Sequence, residues 1–79
     1  MLTIKVLGTG CAKCDKLFTE ARKALDMAGV EADLVKIEKL DDIVNYGVMM
    51  TPALVINEEV RTVGKIPKAA DMAKWFKEA

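Results

Sequence analysis

A run of apolar residues at helical spacing, set between two short β-branched stretches, constrains this chain most. From Ala12 to Ala28 the positions Leu17, Phe18, Ala21, Leu25 and Ala28 recur three and four residues apart, and Gly29 follows as a C-terminal cap. Lys16, Glu20, Arg22, Lys23 and Asp26 make the solvated outer face of that helix. Ahead of it, Thr3 to Leu7 ends at Gly8-Thr9-Gly10, which predicts a strand running into a tight loop. Behind it, Val30 to Ile37 alternates at first and then turns apolar on both sides at Leu34-Val35, as a strand inside a covered sheet does. A strand, a helix of about four turns and a second, parallel strand form a βαβ unit, whose crossover is right-handed in about 98% of cases.

The remainder alternates shorter elements. Lys39 to Asn45 places Leu40, Ile43 and Val44 on one side of a short helix that Gly47 ends. Ala53 to Ile56 and Val60 to Val63 are strands separated by Asn57-Glu58-Glu59, the spacing of an antiparallel hairpin. Gly64 breaks the pattern, Pro67 suits the first turn of a helix, and Ala69, Met72, Ala73 and Phe76 mark a last apolar stripe with Trp75 half buried at its flank. The expected order is β-α-β-α-β-β-α, with no repeat or linker, in one domain over residues 1–79.

Composition narrows the function. Twelve Lys plus Arg balance twelve Asp plus Glu, so no strong field favours a polyanion, and neither nucleic acid nor a membrane surface is an expected partner. No apolar run approaches the roughly 20 residues of a spanning helix, and Met1-Leu2-Thr3-Ile4-Lys5 lacks the features of a secretory signal, which makes the cytoplasm the expected compartment. With no histidine present, Cys-His catalysis and imidazole metal clusters are excluded.

The chemistry rests on Gly10-Cys11-Ala12-Lys13-Cys14, where the loop after the first strand enters the long helix. In a reducing compartment such a cysteine pair is more often catalytic, redox-sensing or metal-binding than a structural staple. Free amides and the positive dipole end of a helix N-terminus favour a thiolate, lowering a cysteine pKa from roughly 8.5 into the range of about 3.5 to 7.5. Cys11 is placed to benefit and to act as nucleophile. Cys14, about one turn further in, falls on the side that continues through Leu17, Phe18 and Ala21 and suits a resolving role. Structural zinc wants four protein ligands, and two thiols alone do not supply them. Two thiolates can hold a soft ion such as Cu(I), with Met49 and Met50 available nearby. Met27 and Met72 sit in helical patterns and read as core or flank.

Taken with the cysteine pair, Tyr46-Gly47-Val48-Met49-Met50-Thr51-Pro52-Ala53-Leu54-Val55-Ile56 resembles the thioredoxin-fold segment in which a short helix leads to a cis-proline and then a strand. Nearly the whole chain is similar to small prokaryotic thioredoxin-like or glutaredoxin-like redox-active disulfide proteins. The resemblance implies an α/β thioredoxin-like fold with a four-stranded mixed sheet flanked by three helices, and a cis Thr51–Pro52 bond facing the pair. It also implies a substrate-facing surface including Gly10, Lys13, Met50 and Thr51. A monomeric thiol–disulfide oxidoreductase is expected, with no cofactor beyond the Cys11–Cys14 disulfide, acting on disulfide-containing proteins and recharged by a thioredoxin-reductase-like donor. Two departures stand out. Familiar thioredoxins carry Trp-Cys-Gly-Pro-Cys where this chain has Gly10 and Lys13, and glutaredoxins show a Gly-Gly pair where it has Gly64-Lys65, which leaves glutathione use open. The rival is a copper-carrying heavy-metal-associated domain, which also sets Cys-x-x-Cys between a first strand and helix. Such domains end in a strand, whereas this chain ends in a helical stripe, and their usual Met before the cysteines is missing.

If the Lys13 charge stabilises the Cys11 thiolate, Lys13→Glu raises the Cys11 pKa. Absorbance titration of the thiolate is the check, and an unchanged curve removes Lys13 from the mechanism.

Overall fold

The computed structural model describes residues 2–79. Its elements are β1 (Leu2–Leu7), α1 (Ala12–Ala28), β2 (Ala32–Ile37), α2 (Leu40–Asn45), β3 (Ala53–Ile56), β4 (Glu59–Val63) and α3 (Ala69–Glu78), in the expected order. The strands form one sheet ordered β2-β1-β3-β4; β1 runs parallel to β2 and antiparallel to β3, which is antiparallel to β4. This is the α/β arrangement, a four-stranded mixed sheet flanked by three helices, that the resemblance implies.

Alternation along β1 divides the interior. Leu2, Ile4 and Val6 join Leu54 and Ile56 of β3 against Leu17, Ala21 and Ala24 of α1 and Met72, Ala73 and Phe76 of α3. Each fully buried Leu, Ile or Phe contributes about 1.5–3 kcal/mol, so this layer supplies most of the driving force. On the opposite face Leu7, Ala53 and Val55 meet Ile43 of α2, with Ile37, Tyr46, Val48 and Val60 around them. Gly29 ends α1 in the left-handed region, φ 66°, with its N–H on the Leu25 carbonyl at 3.0 Å. No helix among the described residues is long and apolar enough to cross a membrane.

Four expectations need correction. β2 is parallel to β1 but is an edge strand, not one inside a covered sheet; Val35 is 40% exposed, because the six-residue α2 is too short to roof that face. Within α2 only Ile43 is buried, and Leu40 and Val44 stay 65% and 60% exposed. The hairpin turn is one residue shorter than the spacing implied: Asn57 and Glu58, at φ 50° and 67°, form the turn and Glu59 already belongs to β4. Positive φ at both central positions matches the right-handed twist of the flanking strands. Asn57 is tied to the start of β1, its N–H donating to the Thr3 carbonyl at 2.8 Å and its Oδ1 accepting from the Thr3 N–H at 3.0 Å. Finally, Pro67 lies outside α3, because Lys68 at ψ 146° is still extended and caps the helix.

Trp75 is half buried as expected, and the guanidinium of Arg61, the extra residue of a β4 bulge, lies 5.0 Å from its ring centre. Met72 is in the core, while Met27 is 57% exposed.

Candidate active site

The site begins where β1 stops. Gly8 extends the β1–β2 ladder by one bond, its N–H donating to the Ile37 carbonyl at 2.9 Å. Thr9 and Gly10 then turn the chain, with Gly10 at φ 87° in the region that favours glycine. Cys11 is the N-cap of α1: its backbone is extended (φ −74°, ψ 161°), and its Sγ accepts the Cys14 N–H at 3.1 Å. A hydroxyl or carboxylate usually fills this position. Here a sulfur does, so the group that satisfies a free amide of the first turn is also the group with redox chemistry.

Cys11 and Cys14 are joined as a disulfide with their Cα atoms 5.1 Å apart. Their surroundings differ: Cys11 is exposed, whereas Cys14 is 1% exposed and continues the buried side of α1 through Leu17 and Ala21. Lys13, between them, is exposed and makes no ion pair among the described residues. Asp15 pairs with Lys36 at 3.0 Å, which offsets the one acidic charge in the first turn of the helix.

A second segment approaches from β3. The Thr51–Pro52 peptide bond is cis, Pro52 is fully buried, and its carbonyl accepts the Gly64 N–H at 2.7 Å, tying this loop to the end of β4. The Met50 side chain covers Gly64, and a Cβ built there would lie 3.2 Å from Met50 Cε. Met49 is 96% exposed. Thr51 and Thr9, the latter two residues before Cys11, line one groove of about 430 Å³ whose other walls are Leu40, Ile43, Val44, Val48 and Met49. The two loops that carry Cys11 and Pro52 therefore share an apolar cleft. Gly10 and Lys13 lie at its cysteine end by sequence, while Met50 turns toward β4.

Residues 2–77 match the family described as thioredoxin domain. The chain belongs to the thioredoxin family. A thioredoxin of Methanothermobacter thermautotrophicus is 32% identical over 74 residues, covering 94% of this chain and 96% of the relative. A thioredoxin of Methanocaldococcus jannaschii is 30% identical over 77 residues, covering 98% of this chain and 88% of the relative. Family membership and the cysteine pair make this chain a thiol–disulfide oxidoreductase.

Two features of this thioredoxin-family site escaped the sequence. One is Gly8, which reads as an ordinary loop glycine; nothing local shows that it faces Cys14. The other is a polar cluster on the α2 side of the sheet, where Lys5 Nζ donates to Tyr46 Oη at 2.7 Å and to Glu58 Oε1 at 2.6 Å. Pairing of β1 with β3 brings Lys5 and Glu58 together from 53 positions apart, and the packing of the end of α2 on the sheet adds Tyr46. The lysine occurs at an alternating position of a strand that otherwise reads as apolar, and that was the only available signal. The Glu58 carboxylate, followed by the Tyr46 hydroxyl, pushes the Lys5 pKa up to about 12, and the Lys5 ammonium holds the Glu58 carboxyl below its usual value.

The signs fix the pH dependence. A lowered carboxyl pKa stabilises the fold above the ordinary value of 4.5, and that contribution is lost as pH falls through the lowered one; the raised Lys5 contributes fully below its ordinary 10.5 and loses that contribution as pH rises to about 12. Wild type is expected to exceed Glu58→Gln in urea midpoint from about pH 6 to about pH 10. The gap should close below pH 4.5; a gap independent of pH would show that the ion pair contributes nothing.

Proposed function

We propose that Cys11 is the attacking thiolate and Cys14 the resolving thiol in the reduction of disulfides in polypeptide substrates, and that no cofactor takes part beyond the pair itself. The observation that carries this reading is the asymmetry of the two sulfurs. Cys11 is exposed at the helix cap with an N–H directed at its Sγ, and Cys14 is buried where Cys11 Sγ is its available partner.

The reduced Cys11 thiolate attacks one substrate sulfur; a Cys11–substrate S–S bond forms as the substrate S–S bond breaks, and the departing sulfur takes a proton. The Cys14 N–H bond to Cys11 Sγ strengthens when that sulfur is an anion, because hydrogen bonds to charged acceptors are roughly twice as strong as neutral ones. Cys14 then loses its proton and attacks Cys11 Sγ. The Cys11–Cys14 bond forms, the second substrate sulfur leaves and is protonated, and two electrons have passed from dithiol to substrate. Proximity drives this second step: groups held in attacking geometry reach effective molarities of about 10⁵ M and above. A thioredoxin-reductase-like dithiol donor returns the electrons by the same exchange in reverse.

The groove supports a polypeptide substrate. Leu40 and Val44 line it while remaining solvent-exposed, and the first turn of α2 adds Asp41 and Asp42. This surface suits the apolar flank of a protein cysteine better than an anionic tripeptide such as glutathione. Thr51, Met50, Gly10 and Lys13 complete the proposed substrate-facing rim, with Pro52 beneath it.

Mass spectrometry of single variants mixed with an oxidised protein substrate tests the roles. Cys14→Ser is expected to accumulate a covalent complex and Cys11→Ser to form none; the opposite result reverses the assignment, and trapping by neither together with tight Cu(I) binding makes the chain a metal carrier. Replacing both Leu40→Ser and Val44→Ser tests the groove. It should lower kcat/KM for a protein disulfide about tenfold more than for hydroxyethyl disulfide, the scale of about 1.4 kcal/mol of lost apolar contact. Equal losses on both substrates would remove the groove from recognition.

A further inference from the structure

We infer that Gly8 is a positioning residue for Cys14: the space where its side chain would be is the seat of the resolving sulfur. The inference rests on the proposed role of Cys14. A Cβ built on Gly8 would lie 2.7 Å from Cys14 Cβ and collide with Cys14 Sγ. Real Cβ atoms essentially never approach other atoms within 3.0 Å, so any larger residue forces a displacement. Conformation does not explain the glycine, because Gly8 is absent from the positive-φ glycines, which are Gly10, Gly29, Gly47 and Gly64.

Neither side of the contact can retreat cheaply. Gly8 follows Leu7, which is fully buried and registered against both Ile37 and Ala53, and its own N–H is held by the Ile37 carbonyl at 2.9 Å. Cys14 sits in the first turn of a 17-residue helix whose next buried positions, Leu17 and Ala21, are locked into the main core. The remaining freedom is rotation of the cysteine side chain or an outward tilt of the first helical turn. Both move Cys14 Sγ off its present approach to Cys11. Cys11 has no such dependence, since it is exposed and its neighbour Gly10 has nothing within 4 Å of a built Cβ. Gly8 therefore acts on the second half of the exchange and not on the first.

Reaction of the reduced full-length protein with the aromatic disulfide 5,5′-dithiobis(2-nitrobenzoate) separates the halves, because one thionitrobenzoate leaves when Cys11 attacks and a second when Cys14 resolves. Gly8→Ala is expected to keep the first phase within about twofold and to slow the second by about tenfold or more, since a displacement near 1 Å costs up to about 10²-fold in such steps. An unchanged second phase would overturn the inference. Loss of both phases in equal measure in a folded variant would also overturn it, by showing a general distortion. If Gly8→Ala fails to fold, the Cys14→Ala background decides, because removing Sγ opens part of the seat. There Gly8→Ala should cost less stability than in wild type, and an equal cost would mean that the contact with the sulfur is not what excludes a side chain. Wild type and Cys14→Ser run alongside keep the two readings apart: a second phase that survives Cys14→Ser refutes the resolving role itself, whatever Gly8 does.

Discussion

The packing of α1 across β1 is the constraint on which everything else depends. Leu17, Ala21 and Ala24 lie on Ile4 and Val6, and α3 closes the same layer with Met72 and Phe76. Once those side chains interlock, the N-terminus of α1 must stand at the carboxyl end of β1, the edge where open α/β sheets hold their ligands. Cys11 and Cys14 inherit their difference from that placement. One is the last residue before the helix, with amides pointing at it; the other is the first residue of the buried face. Small residues make the contact possible, since Ala21 and Ala24 let the helix approach the sheet closely.

How far the fold could be read beforehand follows the same physics. α1 was legible to the residue because a long stripe with a glycine stop leaves little choice of phase, and the cysteine pair was legible because its position at a strand-to-helix junction is a local property. β3 was legible for the opposite reason, a run with no polar residue at all, and it is the fully buried central strand. Misreadings came where burial depends on partners distant in sequence. Leu40, Val44 and Val35 look like core residues in isolation, and only the shortness of α2 and the edge position of β2 leave them in contact with water. The seat formed by Gly8 belongs to this class too: its reason for being glycine lies in a sulfur six residues away that only the tertiary fold brings back.

The α2 face answers a different need. A hairpin turn that places Glu58 at φ 67° bears a conformational cost there that glycine would avoid. The carboxylate it presents meets the ammonium of Lys5, whose side chain is 22% exposed on a sheet face beside Ile37. Tyr46 accepts from the same lysine and packs with Leu7, Val55 and Ile43, so a polar knot is anchored inside an apolar patch. The loop that runs from Tyr46 to Pro52 thus starts from a fixed point, and the groove wall inherits that rigidity.

The edge position of β2 also bears on the company this protein keeps. A sheet edge presents unpaired amides and carbonyls, and any extended polypeptide is a potential extra strand. Along the outer strand, Asp33 and Lys36 interrupt the apolar residues with charge, and on the far edge the Arg61 bulge kinks β4 beside Glu59. The cleft beside the Cys11 loop is lined instead by apolar side chains, among them Leu40, Val44, Val48 and Met49. Both edges of the sheet are thereby poorly suited to accepting an extended polypeptide as a further strand, which guards the molecule against joining edge to edge.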